Sequence, residues 1–248
     1  MWDVLLKLYR KFWPECAYKL ILVTDKLECE KSEYVYTEEF SGDKFDDVVI
    51  LDGTWYEMIT AAIEHADTDY TMMFMDDYLL CDYVRNEDME YYMNEADRLH
   101  AANIRLKTDQ SLYKPGDYEL DNNYFIFPHG VAYSITTQAG LWNTEVLKSY
   151  MKPEWSAWDF EKKGSIEIVD DEHPCLGSKY YMIPYVEGVN RGRWLREGVD
   201  LCARNNIHPD YEKRPPMTNF QMAWVYFKGG LVGLNPTLVT KILKIFGK

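Results

Sequence analysis

The sequence predicts one α/β domain with a mainly parallel sheet flanked by helices. Three observations predict it. Short apolar runs alternate with segments of helical periodicity through the first half of the chain. The run "YTMMFM", Tyr70 to Met75, is apolar on both faces, the pattern of a central strand covered from both sides. The 248 residues are 47% hydrophobic, enough for one sizeable core, and no linker demands a second independent domain.

The elements follow in order. "MWDVLLKLYRKFW" reads as an amphipathic helix, since charges interrupt its apolar residues and no small-residue cleavage site follows. "YKLILVT" and "DDVVIL" read as strands. In "GTWYEMITAAIEHA", Trp55, Ile59, Ala62, Ile63 and Ala66 recur at helical spacing. "DYTMMFM" is a third strand. A helix follows over about residues 86–101, then the strand "NIRLKT". Further on, "YFIF" and "VAYSITTQ" read as strands, "NTEVLKSYM" as a short helix with Asn143 or Thr144 as cap, "KYYMIPYVEGVNRGRW" as strands with a turn and "LREGVDLCARNNI" as a helix.

Composition narrows the function classes. The net charge of −14 argues against nucleic-acid binding. Five cysteines, odd in number and without a C-x-x-C pair, point to a reducing compartment and away from a disulfide framework or zinc cage. The neighbours His173 and Cys175 lack a partner pair and read as a loop. No apolar run approaches the roughly 20 residues of a membrane-spanning helix; the reducing compartment that the cysteines indicate makes a cytoplasmic location the expectation.

The carboxylates Asp76 and Asp77 end the run from Tyr70. Ligands of open α/β sheets bind beyond the carboxyl ends of strands. Successive strand residues point opposite ways, and a hard divalent cation relieves the remaining repulsion. Mg²⁺ or Mn²⁺ takes one or two protein carboxylates and fills its shell with water and phosphate oxygens. Such a cation would also let an acidic chain hold a diphosphate. The competing reading is a helix cap for "DYLLCDYV". A second carboxylate pair, Asp159 and Glu161, lies among aromatics in "WSAWDFEKKGS". Desolvation there favours a base, and Trp155 and Trp158 offer faces on which sugar rings stack. Gly140 allows a close backbone approach to a ligand. Arg191 and Arg193 in "NRGRWLREG" carry forks suited to phosphate oxygens. His208 is a weaker candidate for a further metal ligand.

Taken in order, "TWYEMITAAIEHADTDYTMMFMDDYLL", "SITTQAGLWNTEVL", "WSAWDFEKKGS" and "GVNRGRWLREGV" resemble a bacterial group of nucleotide-sugar-dependent glycosyltransferases of GT-A fold. The group is related to the large family 2 class and is associated with surface-polysaccharide synthesis. The resemblance runs from about Trp2 to Arg214. It implies a GT-A domain over residues 1–234 and an inverting, metal-dependent hexosyl transfer from a nucleotide-diphosphate sugar to a saccharide or lipid-linked acceptor. Asp77 would bind Mn²⁺ or Mg²⁺ as counterpart of the D-x-D motif, and Asp76 would contact the ribose or donor sugar. Glu161 would be the general base. Arg191 and Arg193 would reach the diphosphate; Gln138, Trp142, Trp158 and Asp159 would contact substrate. Chains of this group begin with a strand that touches the nucleotide base. Here Met1 falls directly in the first helix, so that strand is expected to be missing, with Thr24, Asp25 and Asp52 as candidate base contacts. A non-catalytic carbohydrate-binding protein is the alternative, since it too would be rich in Tyr and Trp.

The C-terminal "NPTLVTKILKIFGK", residues 235–248, reads as a basic amphipathic helix with Asn235 as cap and Pro236 at its first position. Such a helix can lie on an anionic membrane surface, which predicts a peripheral association. Packing of its apolar face on the protein's own core is the competing reading.

Overall fold

The structure, a computed structural model, describes residues 1–26, 44–106, 120–180 and 183–234, with the backbone alone for 228–234. The expected helix over 235–248 lies outside these residues. Helix α1 (Trp2–Phe12) buries Val4, Leu5, Leu8, Tyr9 and Phe12, and carries Asp3 in its first turn and Arg10 and Lys11 in its last, matching the helix dipole. Strands β1 (Ile21–Thr24) and β2 (Asp47–Ile50) pair in parallel. They are covered by α2 (Trp55–Ala66), which begins in a capping box of Thr54 and Glu57.

Next come β3 (Tyr70–Met73), β4 (Tyr78–Leu80), α3 (Asn86–Arg98), β5 (Asn103–Arg105), β6 (Tyr124–Phe127) and β7 (Gly140–Asn143). Helix α4 (Thr144–Tyr150) follows β7 directly, and the Asn143 side chain caps it by accepting from Val146 N. A helical stretch then runs from α5 (Ala157–Asp159) through one π turn (Phe160–Gly164) into α6 (Ser165–Glu167). The chain continues with β8 (Cys175–Ser178), β9 (Tyr185–Glu187), β10 (Val189–Asn190), β11 (Arg193–Trp194), α7 (Arg196–Arg204) and α8 (Asn219–Leu234).

The central sheet has the order β3-β7-β5-β8-β6. β7 runs antiparallel to both β3 and β5, and β6 antiparallel to β8; the β5–β8 pairing is parallel. This mixed sheet overturns the expected mainly parallel sheet and, with it, the GT-A fold that the resemblance implied. The physical reason lies in β3. Its apolar run suggested a central strand, yet β3 is at the sheet edge and three of its four residues are only half-buried. The partner it needs, "GLWN", is four residues long and opens on glycine, so it left no strand signal. Gly140 is required there by packing: a Cβ would fall 2.5 Å from Asn103 Nδ2. The close approach expected of it is made by Asn103 instead of a ligand.

The expected strand "VAYSITTQ" is a second correction. Residues 131–138 run as turns and bends, although Ser134, Ile135, Thr136 and Thr137 are buried. Their polar groups bond to the helical stretch rather than to a strand ladder. Ser165 Oγ donates to Ile135 O at 3.0 Å and accepts from Ile135 N at 2.9 Å. Buried apolar side chains form two clusters, one around α1, β4 and α3, the other around Trp142, Phe160, Trp155 and Tyr150.

Candidate functional site

Asp76 and Asp77 sit in a tight turn between β3 and β4, closed by Tyr78 N donating to Met75 O at 3.0 Å. The following "YLL" is a strand, so neither aspartate caps a helix there. β4 pairs with β9, placing Tyr78 opposite Glu187. Gly188 N donates to Asp77 O at 2.7 Å and anchors the turn. A side chain at 188 has no room: its Cβ would lie 2.5 Å from Leu79 Cδ1 and 3.3 Å from Asp77 O.

The Asp77 carboxyl is pushed up to about 6, first by desolvation, then by the charges of Asp76 and Glu187; Arg214 opposes the shift. Beneath it, the rings of Tyr78 and Tyr185 lie 4.6 Å apart, and Phe74 meets each edge-on. Burial pushes the Tyr78 hydroxyl well up, and Tyr185, Glu187, Asp77 and Glu161 add to the effect.

Glu161 occupies the π turn, a helix irregularity that often re-aims a side chain. Its Oε1 accepts from Thr136 Oγ1 (2.8 Å), Thr137 N (2.8 Å) and Thr137 Oγ1 (2.9 Å). Oε2 takes none of these bonds. Tyr133 lies within the field of the same carboxylate, which reinforces the upward push of burial on its hydroxyl. Gln138 follows directly in the chain and is half-buried, its backbone N donating to Thr136 Oγ1 at 3.2 Å.

Other sequence candidates fall elsewhere. Trp142 is fully buried against Phe160 and Tyr150, so it is a core residue and not a ligand contact. Trp155 is likewise buried, with Lys152 over its ring. Trp158 is 68% exposed, and Lys162 sits over it. Asp159 closes a capping box with Ser156 and pairs with Lys163 at 3.0 Å. Its hydrogen bonds to Ser156 and Lys163 hold its carboxyl below the usual range. Arg191 is at the exposed tip of the β10–β11 hairpin with φ 50°, and Arg193 is half-buried in β11. The cation acting on Asp77 is Arg214, which sequence reading did not single out. Glu187, Tyr78, Tyr185, Thr136 and Thr137 were missed as well, because their roles follow from strand pairing and a buried turn. His208 is exposed. Thr24 is buried and donates to Lys26 O at 2.9 Å, while Asp25 and Asp52 are exposed.

What the Asp77 turn would offer a hard divalent cation is carboxylate charge, from Asp77, Asp76 and Glu187. Clustered carboxylates that raise affinity for a proton raise it for a metal ion too. Among the described residues, no three His, Cys, Asp or Glu side chains gather to hold a metal. A cation here would therefore be held by Asp77 with Asp76 or Glu187, and complete its shell with water and substrate oxygens, as Mg²⁺ does.

An open surface cavity of about 590 Å³ is lined by Ser149, Tyr150, Glu167, Asp170 and their neighbours, and includes neither Asp77 nor Glu161. Asp170 is engaged within its own loop, accepting from Tyr150 Oη (3.0 Å) and from the backbone N of Glu172 and His173, with His173 Nδ1 2.9 Å away. The Asp77–Glu161 region remains the better candidate.

The chain matches no family model, no curated protein and no solved structure.

Proposed function

We propose that the chain transfers a sugar from a nucleotide-diphosphate donor to a hydroxyl of a saccharide or lipid-linked acceptor, with inversion and with help from Mn²⁺ or Mg²⁺. The fold lends no support to this reading, which rests on the site. The observation that carries it is Glu161, a carboxylate held through one oxygen by three donors at a buried turn, in a chain whose acidic pair Asp76–Asp77 ends beside Glu187.

Glu161 is suited to proton transfer because its two oxygens have different work. Oε1 is pinned by three donors. Oε2 is left to take the proton of an acceptor hydroxyl as its oxygen attacks the anomeric carbon. The bond to the diphosphate breaks, and the diphosphate leaves with the electron pair. A bound divalent cation would neutralise charge on that leaving group. Arg214 adds a positive charge on the same side, and Tyr78 and Tyr185 keep the region partly dry, which strengthens each interaction.

The test is a panel of nucleotide-sugars assayed for Mn²⁺-dependent release of nucleotide diphosphate, with saccharide acceptors added and omitted. Release that needs Mn²⁺ and is lost in Glu161→Gln supports the reading. No release from any donor, combined with nucleotide-diphosphate binding that ignores Mn²⁺, overturns it. Binding of saccharide without nucleotide would favour a carbohydrate-binding protein.

A further inference from the structure

Arg105 ends β5, the middle strand of the central sheet, and is 3% exposed. A guanidinium in a protein keeps its charge, and an arginine is almost never this buried without a paired carboxylate. Among the described residues, Arg105 has no such pair. Its Nη2 donates to the backbone O of Tyr133, and its guanidinium carbon lies 3.8 Å from the centre of the Phe127 ring. Its Nε is buried and has no hydrogen-bond partner.

Burying a cation is costly unless its donors are satisfied. Here one carbonyl and one ring face are all that offset the cost. The cross-strand neighbours of Arg105 are Gly140 in β7 and Gly177 in β8, so neither adjoining strand sets a side chain of its own at that level. Nε–H and Nη2–H form one edge of the guanidinium, the edge that takes two oxygens of a carboxylate or phosphate side by side. A peptide carbonyl brings a single oxygen and fills half of it.

The segment that supplies this carbonyl lies near the surface. Residues 128–131 and Tyr133 are half-buried, and His129 Nδ1 is a second buried nitrogen without a partner. Gly130 and Tyr133 have φ of 76° and 62°. The left-handed region is unfavourable for an aromatic residue, so little backbone preference opposes release of Tyr133 O. Three residues on, Thr136 and Thr137 tie the same turn to Glu161.

We propose that the Nε–Nη2 edge of Arg105 binds an oxyanion of a ligand, a phosphate or carboxylate group whose two oxygens take both N–H groups and displace Tyr133 O. The diphosphate of a nucleotide-sugar and the carboxylate of an acidic saccharide both supply this chemistry. Binding here needs neither a metal ion nor sugar transfer, so the site stands apart from the reaction proposed above.

The experiment is isothermal titration calorimetry of the full chain with inorganic pyrophosphate and with glucuronate, in EDTA at low ionic strength matched with sodium chloride. Arg105→Met and Arg105→Lys accompany the parent, and all three are melted without ligand. The expected result is one-to-one binding of at least one probe by the parent, weakened roughly tenfold or more in Arg105→Met. Arg105→Lys keeps the charge, loses the two-donor edge and should also bind more weakly. Without ligand, Arg105→Met should melt no lower than the parent, since an unpaired buried cation has been removed. A purely structural arginine gives the reverse, a lower melting temperature with unchanged affinity, and that result overturns the proposal. So does binding of neither probe by the parent. Unchanged affinity in Arg105→Lys overturns it too, should Arg105→Met not fold. Binding of pyrophosphate alone supports a phosphate ligand, and binding of glucuronate alone a carboxylate ligand.

Discussion

Glu161 and Thr137 are joined twice: one carboxylate oxygen accepts from both the backbone N (2.8 Å) and the side-chain Oγ1 (2.9 Å) of the threonine. Thr136 adds a third bond to the same oxygen. The glutamate therefore has a structural task, holding a buried turn that lacks a strand ladder, besides any chemical one. Glu161→Gln separates the two. Its amide oxygen keeps all three acceptor bonds while the base is lost. The variant should stay folded, with some stability lost as three charge-assisted bonds become neutral ones, and should lose roughly 10²-fold or more in turnover. Parent-like turnover in the folded variant would leave Glu161 with the structural task alone.

Thr137→Val removes one of the three donors and leaves the backbone bond. A hydrogen bond to a charged group contributes about 1.5–3 kcal/mol, so stability should fall by about that much. Because the threonine positions Glu161 without touching substrate, kcat should fall while the donor KM stays near its parent value. Thr137→Ser, which keeps the donor, should restore kcat. Equal loss in the valine and serine variants would refute the positioning role.

Asp77 makes stability and ligand binding respond to pH in opposite directions. Its carboxyl is raised from 3.8 to about 6 by desolvation, Asp76 and Glu187. The folded state thus holds this proton more tightly than the unfolded chain. Stability is lost as pH rises through that window, and the loss is complete above about 6. Asp77→Asn removes the ionisation. Its melting temperature should exceed the parent's at pH 8, and the difference should vanish near pH 4. Mn²⁺-dependent nucleotide-diphosphate binding should run the other way in the parent, weak at pH 5 and stronger at pH 7, because the proton competes with the cation. It should be absent in Asp77→Asn at every pH. Metal dependence that survives in the folded variant would remove Asp77 from the site.

Gly188 offers a test of the turn that touches no carboxylate. Its missing Cβ makes room for Leu79, and its N–H holds Asp77 O. Gly188→Ala forces the β4–β9 edge apart and should cost about 1–3 kcal/mol. Mn²⁺-dependent binding should weaken beyond what stability alone explains. A variant that melts lower yet binds as the parent does would show that the turn keeps its shape without this anchor.

Local signals were legible in the sequence where one segment decides its own structure. Periodicity gave α1, α2 and α3, and Asn143 was read among the caps of α4. That Asp76 and Asp77 follow a strand was visible too, although the strand stops at Met73 rather than Met75 and the pair forms a turn into β4 instead of a strand end or a helix cap. Pairing direction was not, because it depends on which strand meets which. Nothing within Tyr70–Met73 reveals that its partner is Gly140–Asn143, running the opposite way. Arg214 and Glu187 were hidden for the same reason, since they join Asp77 only through tertiary packing. The threonines in "SITTQ" misled, reading as β-branched strand residues when their hydroxyls serve Glu161.

The two tryptophans of the sequence motifs, Trp142 and Trp158, should now behave as opposites. Trp142 is fully enclosed by Phe160, Tyr150 and their neighbours. Truncation to alanine leaves a large cavity and should cost about 3–5 kcal/mol. Any loss of activity in that variant should track the unfolded fraction. Trp158 is 68% exposed, with Lys162 over one face, so Trp158→Ala should shift stability by less than about 0.5 kcal/mol. It lies on the helical stretch that carries Glu161, where an acceptor sugar ring would stack. Its loss should raise the acceptor KM while leaving nucleotide-diphosphate binding unchanged. Thermal melts paired with acceptor titrations check both halves. An unchanged acceptor KM in Trp158→Ala would take this ring out of the acceptor site and shift attention to Tyr133, the aromatic that shares the field of Glu161.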